Sequence, residues 1–262
     1  MGKVYLIGAG PGDPELLTLK AARLLAEANV VLHDSLVSPE VLQRISPRAE
    51  IVDVGKRAGA KLLTQDEINS LLVAYAADHE VVVRLKGGDP LIFGRAGEEI
   101  EALRSARVEF EIVPGITAAL GAAAAAGIAL TDRRIASQLL FTTFSRDADH
   151  QDVAWSAIGN ATTLAVYMPG RDYGAVATRL LDAGLSGDTP CVIVSQASSA
   201  HQQVTWSQVA DLFEAQHLPA PALLIVGRVA VQNIREQGLD SALVSWASSS
   251  QGSFQTTVWR KN

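Results

Sequence analysis

The sequence predicts an α/β protein made of two α/β lobes, each holding about half the chain. Three observations predict it. Short β-branched runs alternate with helical stretches along the whole length. Several of the runs are nearly continuous in apolar residues, as in sheets covered on both faces. Glycine-bearing turns follow three of them.

Taken in order, Lys3–Ala9 is predicted as a strand. A helix over 14–28 follows, with Asp13 as N-cap and Pro14 in its first turn. Its Leu17, Ala21, Leu24 and Ala28 share one face at helical spacing. Strands are predicted at 30–33 and 50–54. Thr64, with Glu67 three residues on, resembles a capping box opening a helix over 64–77. The run 81–85 is a strand, apolar except for Arg84, and a helix over 95–106 leads to a strand at 110–113. The second series has a small-residue helix at 116–126, strands at 139–143 and 162–167, and a helix at 173–183. It continues with a strand at 191–195, a helix at 207–216 and a strand at 223–226. The lobes are expected to part near Pro114-Gly115, giving domains of 1–113 and 114–240. The Ser-, Gln- and Thr-rich remainder, 241–262, is expected to be a poorly ordered tail.

The chain of 262 residues carries 22 Lys+Arg against 28 Asp+Glu, a net charge of −6. This acidic balance argues against nonspecific nucleic-acid binding, which depends on neutralising phosphates. It leaves room for an anionic small molecule, because local arginines can outweigh global charge. Mean hydropathy is +0.18, a globular value. Cys191 is the single cysteine, so an intramolecular disulfide and a multi-cysteine zinc site are both excluded, and no metal is expected. No signal peptide is legible near the first strand. The 20 uncharged residues from Ile112 to Thr131 have the length of a membrane span, but they hold Pro114 and three glycines and are mostly alanine, so a packed helix is expected. The expectation is a cytoplasmic protein without membrane or nucleic-acid partners.

Gly8-Ala9-Gly10-Pro11-Gly12-Asp13 lies between the first strand and its helix. It is not the dinucleotide fingerprint, whose third glycine is replaced here by Asp13, an anion where a pyrophosphate would sit. No P-loop sequence exists in the chain. Arg84-Leu85-Lys86-Gly87-Gly88-Asp89-Pro90 places paired glycines at a strand end, where a ligand can approach the backbone or a tight turn can form. Pro114-Gly115-Ile116-Thr117-Ala118-Ala119 is a turn into the small-residue helix, which Thr117 could cap.

GAGPGDPELLT, VGKRAG, RLKGGDPLIFGRAGEE, PGITAA, VYMPGRD and PALLIVG, in this order, closely resemble the uroporphyrinogen-III C-methyltransferases of the tetrapyrrole methylase superfamily, from about residue 3 to residue 230. The resemblance implies a homodimer of two-domain α/β subunits, with S-adenosylmethionine in the cleft between the domains and S-adenosylhomocysteine as product. It implies a tetrapyrrole substrate methylated at C2 and C7 to precorrin-2, for sirohaem, cobalamin or haem d1. The cofactor would lie against Pro11, Gly87, Gly88, Asp89, Ile92, Thr117, Ala118, Met168, Ala197 and Ala222. Asp34 and Lys56 match the acid–base positions. Arg95 and Arg133 match positions that meet the substrate's carboxylates, Glu98 is a further substrate-site candidate three residues after Arg95 on the same helical face, and Arg134 is an additional candidate. The chain is too short to hold the dehydrogenase/ferrochelatase module of fused sirohaem synthases as well, so a single activity is expected. Rival readings are a later precorrin methylase, an RNA- or protein-modifying methylase, and a noncatalytic regulator that binds the cofactor. The chain departs from its relatives in reading Thr142-Thr143-Phe144-Ser145 for Thr-Gly-His, and Ser195-Gln196-Ala197-Ser198 for Glu-Asn-(Gly/Ala)-Thr.

Overall fold

A computed structural model describes residues 2–55, 63–144 and 158–231. The candidate Lys56, the end of the expected second domain and the expected tail at 241–262 lie outside the described residues.

Strands β1 (Lys3–Gly8), β2 (Val30–His33), β3 (Glu50–Asp53), β4 (Val81–Lys86) and β5 (Glu109–Val113) form one sheet in the order β3-β2-β4-β1-β5. Every pairing in it is parallel. Side chains alternate between its faces. Ile7, Val31, Val83 and Leu85 meet Ala21, Leu24 and Leu25 of helix α1 (Leu19–Glu27), with Val41 of the short α2 (Pro39–Leu42). Val4, Leu6, Leu32 and Val82 meet Ile68 and Leu72 of α3 (Gln65–Asp78) and Leu103 of α4 (Ala96–Ser105). Thus the chain leaves β1 for a helix on one face and leaves the neighbouring β4 for a helix on the other. Between two such strands the connecting loops diverge and open a crevice at the carboxyl end of the sheet, where α/β proteins bind ligands.

Strands β6 (Gln138–Thr143), β7 (Thr162–Tyr167), β8 (Pro190–Ser195), β9 (Gln203–Gln208) and β10 (Ala222–Val226) form a second sheet, ordered β6-β7-β10-β8-β9. Only β6 and β7 pair in parallel; the other pairings are antiparallel. One face packs on Ala119, Ala122, Ala123 and Ala126 of α5 (Ala118–Ala126). The other packs on Val176, Ala177 and Leu180 of α6 (Tyr173–Asp182). Being covered on both sides, β7 and β8 are buried at every residue, which is why they read as mostly apolar runs, interrupted only by Thr162, Thr163 and Ser195 at their ends.

Three expectations need correction. The helix predicted over 14–28 is broken: a 3-10 turn at Pro14–Leu16, capped by Asp13, is followed by extended Leu17 and Thr18. Thr18 then caps α1 by accepting from Ala21 N at 3.1 Å, an alternative to continued helix that a short hydroxyl side chain offers the backbone. The helix predicted at 207–216 is instead the end of β9 followed by a 3-10 turn, Ala210–Phe213. Val209 and Leu212 imitate helical spacing over a single turn, while Val204 and Trp206 alternate as a strand requires and pack on the α5 side of the sheet. Helix α5 begins at Ala118, and Thr117 does not cap it with its side chain. The capping box of Thr64 and Glu67 is present as expected. The uncharged stretch from Ile112 divides into the end of β5, a turn and the nine-residue α5, and no described helix is long and apolar enough to cross a membrane.

Cys191 is fully buried on β8, and burial pushes its thiol up to about 12. A thiol reagent at neutral pH is expected to leave the native protein unlabelled and to label it once per chain in denaturant. Labelling of the native protein within minutes would contradict this burial.

Candidate active site

The loops after β1, β4 and β5 interlock at the carboxyl end of the parallel sheet. Gly10 and Gly88 exchange two backbone hydrogen bonds, of 3.1 and 2.8 Å. A Cβ on Gly115 would lie 2.3 Å from the Gly88 carbonyl oxygen and 2.7 Å from Gly8 Cα. Three backbones are therefore in contact where no side chain fits. Asp89 ties two of these loops together: Oδ1 accepts from Leu91 N at 2.8 Å and Oδ2 from Gly115 N at 3.0 Å. The paired glycines serve different ends. A Cβ on Gly87 would press on Leu36 Cβ at 2.9 Å, whereas Gly88 has φ +68° and a Cβ there would meet nothing nearer than Ala118 N at 3.6 Å. Gly88 thus borders the open side of the cluster.

The second half of the chain closes on this cluster. Gly121 of α5 lies beneath Pro11, where a Cβ would come within 2.6 Å of the ring, and the Ala197 carbonyl faces Gly12. Ile92, Ala118 and Ala197 all pack on the core that α5 shares with the second sheet. Thr117 is buried, and its hydroxyl lies 2.6 Å from Tyr167 Oη. Tyr167 also accepts from Ala119 N at 3.2 Å, so it satisfies a helix N-terminal donor that Thr117 leaves open. Burial raises the Tyr167 hydroxyl above its ordinary range, so it stays neutral. Tyr167 was not among the residues singled out from sequence; its only signal was its place in the VYMPGRD block.

A cavity of about 950 Å³ opens between the halves, lined by Leu36 on one side and by Met168, Asp172, His217, Pro221 and Ala222 among others on the second. That size suits a small molecule. Met168 is half exposed with φ +50°, which excludes the core-packing role otherwise ordinary for a buried-looking methionine. Of the six described non-glycine residues with left-handed backbone, five (Phe93, Arg95, Met168, Gln196 and Ser198) lie in the loops around this region. Strain of this kind persists where neighbouring structure enforces it, and it gathers at ligand sites. The mostly apolar lining and the open side of Gly88 fit a ligand with a flat aromatic part and a diffuse cation, as S-adenosylmethionine has. They do not fit a dinucleotide: Asp13 already accepts from Glu15 N at 2.8 Å, placing a carboxylate where a pyrophosphate would need donors. No cluster of side chains able to hold a metal is present among the described residues.

Asp34 follows β2 with its side chain 29% exposed, and pairs through Oδ1 with Arg84. Arg84 is 2% exposed on β4, and its Nε donates to Glu99 of α4 at 2.9 Å. Lys86, two residues along the same face, donates to the same Glu99 oxygen at 2.9 Å. Burial opposes the Arg84 charge, but Asp34 and Glu99 outweigh it and hold the guanidinium above its ordinary range. Burial, reinforced by Arg84, pushes the Lys86 ammonium down despite Glu99. From sequence, Arg84 was legible only as a lone charge in an apolar strand.

Arg95 and Glu98 stand at the exposed start of α4 and form a two-point pair, at 2.8 and 2.7 Å. Arg95 would have to leave Glu98, or present its free edge, to receive a substrate carboxylate. Among the described residues Arg133 pairs with no carboxylate, whereas Arg134 is held by Asp132 at 3.0 and 2.7 Å. The structure thus brings Pro11, Gly87, Gly88, Asp89, Ile92, Thr117, Ala118 and Ala197 into one cluster, with Met168 and Ala222 on the cavity beside it. Arg133 and Arg134 make no hydrogen bond or ion pair with that cluster.

A family model for Tetrapyrrole (Corrin/Porphyrin) Methylases matches residues 3–212. A uroporphyrinogen-III C-methyltransferase of Paracoccus denitrificans is 47% identical over 235 residues, covering 88% of this chain and 82% of that protein. A siroheme synthase of Actinobacillus succinogenes is 46% identical over 230 residues, which are 87% of this chain and 48% of that one. The chain therefore spans about half the length of the siroheme synthases it matches. Among solved structures, uroporphyrin-III C-methyltransferase of Thermus thermophilus complexed with S-adenosylhomocysteine superposes with a TM-score of 0.76 at 40% identity, covering 87% of this chain and 98% of that one.

Proposed function

Because the chain belongs to the tetrapyrrole (corrin/porphyrin) methylases, we propose that it transfers methyl groups from S-adenosylmethionine to C2 and then C7 of uroporphyrinogen III, giving precorrin-2. The observation that carries this reading is the likeness to the Paracoccus uroporphyrinogen-III C-methyltransferase over most of both chains. When bound, the cofactor supplies an electrophilic methyl on a sulfonium sulfur, open to in-line attack by an electron-rich pyrrole β-carbon of the reduced macrocycle. The residues supply orientation and exclusion of water. In this reading Pro11, Gly87, Gly88, Asp89, Ile92, Thr117, Ala118, Met168, Ala197 and Ala222 hold the cofactor. Asp34 would take the proton the macrocycle loses after methylation, since its Oδ2 accepts no hydrogen bond among the described residues. Lys56 would serve as the acid in the accompanying proton movements, with one proton lost overall for each methyl gained. Arg95 and Arg133 would meet the substrate's carboxylates, with Glu98 orienting Arg95 at the substrate site. We extend the proposal to a cytoplasmic homodimer whose subunits divide into domains at 113/114.

The deciding experiment is anaerobic incubation with uroporphyrinogen III and methyl-labelled S-adenosylmethionine, followed by product mass. Two added methyl groups are expected; no product from uroporphyrinogen III, with turnover of a later precorrin, would overturn the reading. In the same assay Arg95→Ala and Arg133→Ala are each expected to lose about 2–3 kcal/mol of transition-state stabilisation, roughly 30- to 150-fold in kcat/KM. Cofactor affinity should hardly change. Full activity in either variant would make that arginine a surface residue, and collapse of cofactor binding would put it on the wrong side of the cleft.

A further inference from the structure

We propose that Arg84 is a positioning residue for Asp34, held in place in turn by Glu99, so that a buried relay from α4 through β4 sets the orientation of a carboxylate at the cleft. This rests on the reading of Asp34 as the proton acceptor.

The geometry has one source. Strand pairing sets Leu32 opposite Arg84, and side chains two residues apart share a face. Arg84, Lys86 and Asp34 therefore project toward the face covered by α3 and α4, where Glu99 comes down from α4. The guanidinium spends its rigid fork in different directions. Nε goes to Glu99 Oε1 at 2.9 Å, Nη2 goes to Asp34 Oδ1, and Nη1 lies 3.4 Å from the Leu32 and Leu85 carbonyl oxygens. One end is thus locked to the interior and the other grips a single oxygen of Asp34. The second oxygen is left for chemistry.

Stability alone does not account for this arrangement. Asp34 is partly exposed and water could solvate it without a partner. Burying an arginine at 2% exposure carries a desolvation cost that a well-packed apolar side chain would avoid. The network also leaves Glu99 Oε2 buried without a hydrogen-bond partner among the described residues. What the buried fork provides is direction: a planar, permanently charged group fixed at its base holds a carboxylate more narrowly than a solvated side chain holds itself. Lys86 cannot substitute, because its single ammonium is already engaged with Glu99 and its charge is disfavoured by burial.

The test is a double-mutant cycle on the full chain, with Arg84→Lys and Asp34→Asn made singly and together. Methylation of uroporphyrinogen III, cofactor affinity and thermal melting would be followed. Arg84→Lys keeps a charge but loses the fork. It is expected to lower kcat on the order of 10²-fold, because misplacement of a reacting group by about 1 Å costs that much. KM and cofactor affinity should stay nearly unchanged. The double variant should be no slower than Asp34→Asn alone, because Arg84 would act only through that carboxylate. Should Arg84→Lys fail to fold, Glu99→Gln serves in the same cycle, since it keeps shape and one acceptor while weakening the anchor. Losses that multiply in the double variant, or a folded Arg84→Lys protein of undiminished kcat, would overturn the positioning role and leave the Asp34 reading standing. An Asp34→Asn protein of full activity would overturn both, as would absence of uroporphyrinogen turnover by the unaltered chain.

Discussion

Asp34→Asn is expected to lower kcat for methyl transfer by about 10²- to 10⁴-fold, the usual contribution of a positioned acid–base group. The substitution is close to isosteric and removes the carboxylate's charge and with it the ability to accept a proton. Asn can still offer its amide oxygen to Arg84, so the backbone after β2 and the packing of Leu36 against Gly87 should persist. Cofactor affinity should be retained, because Asp34 is bonded to Arg84 and not to the interlocked glycine loops. Single-turnover measurement of methyl transfer, beside a titration of cofactor binding, separates the two. A rate within a few-fold of the unaltered protein would remove Asp34 from the chemistry and leave it as one end of an ion pair.

Glu99→Ala is expected to cost about 3–5 kcal/mol of stability, the range seen when one partner of a buried pair is removed. Glu99 is fully buried and one of its oxygens accepts from both Arg84 and Lys86. Without it, two buried cations face each other with only Asp34 to answer them. Lys86, whose ammonium burial already pushes down, would then be driven further toward its neutral form. For a chain of this size the loss corresponds to a fall of roughly 6–20 °C in melting temperature, measured by calorimetry with the unaltered protein alongside. A change of less than about 2 °C would mean that water reaches the cations and that the network is weaker than its burial implies.

Much of the fold was legible because local rules and tertiary packing agree there. The mostly apolar runs at 162–167 and 190–195 are strands buried on both faces, and Thr64 with Glu67 caps α3 as its spacing required. Legibility failed where two local options were nearly equal. Thr18 could continue a helix or begin one, and its hydroxyl took the second option. Val209 and Leu212 fit a helix or a turn, and the pairing of β9 with β8 decided for the turn. In the candidate site, the glycine blocks pointed to the cluster, but their separate reasons came from neighbours distant in sequence: Leu36 for Gly87, Gly8 and Gly88 for Gly115.

By itself, then, the sequence determined the alternation of strands and helices, the absence of a multi-cysteine metal site, and the family through ordered motifs that residues 3–230 hold. Periodicity, capping chemistry and turn residues act over a few positions, and a reader of the chain meets them in order. Only the tertiary structure decided that the second sheet is mixed, that Tyr167 completes the start of α5, and that Arg84 joins Asp34 to Glu99. Those partners are 48, 50 and 15 residues apart along the chain. Their meeting depends on strand register and on which face a helix covers, and both are set by the packing of the whole sheet and by no local pattern.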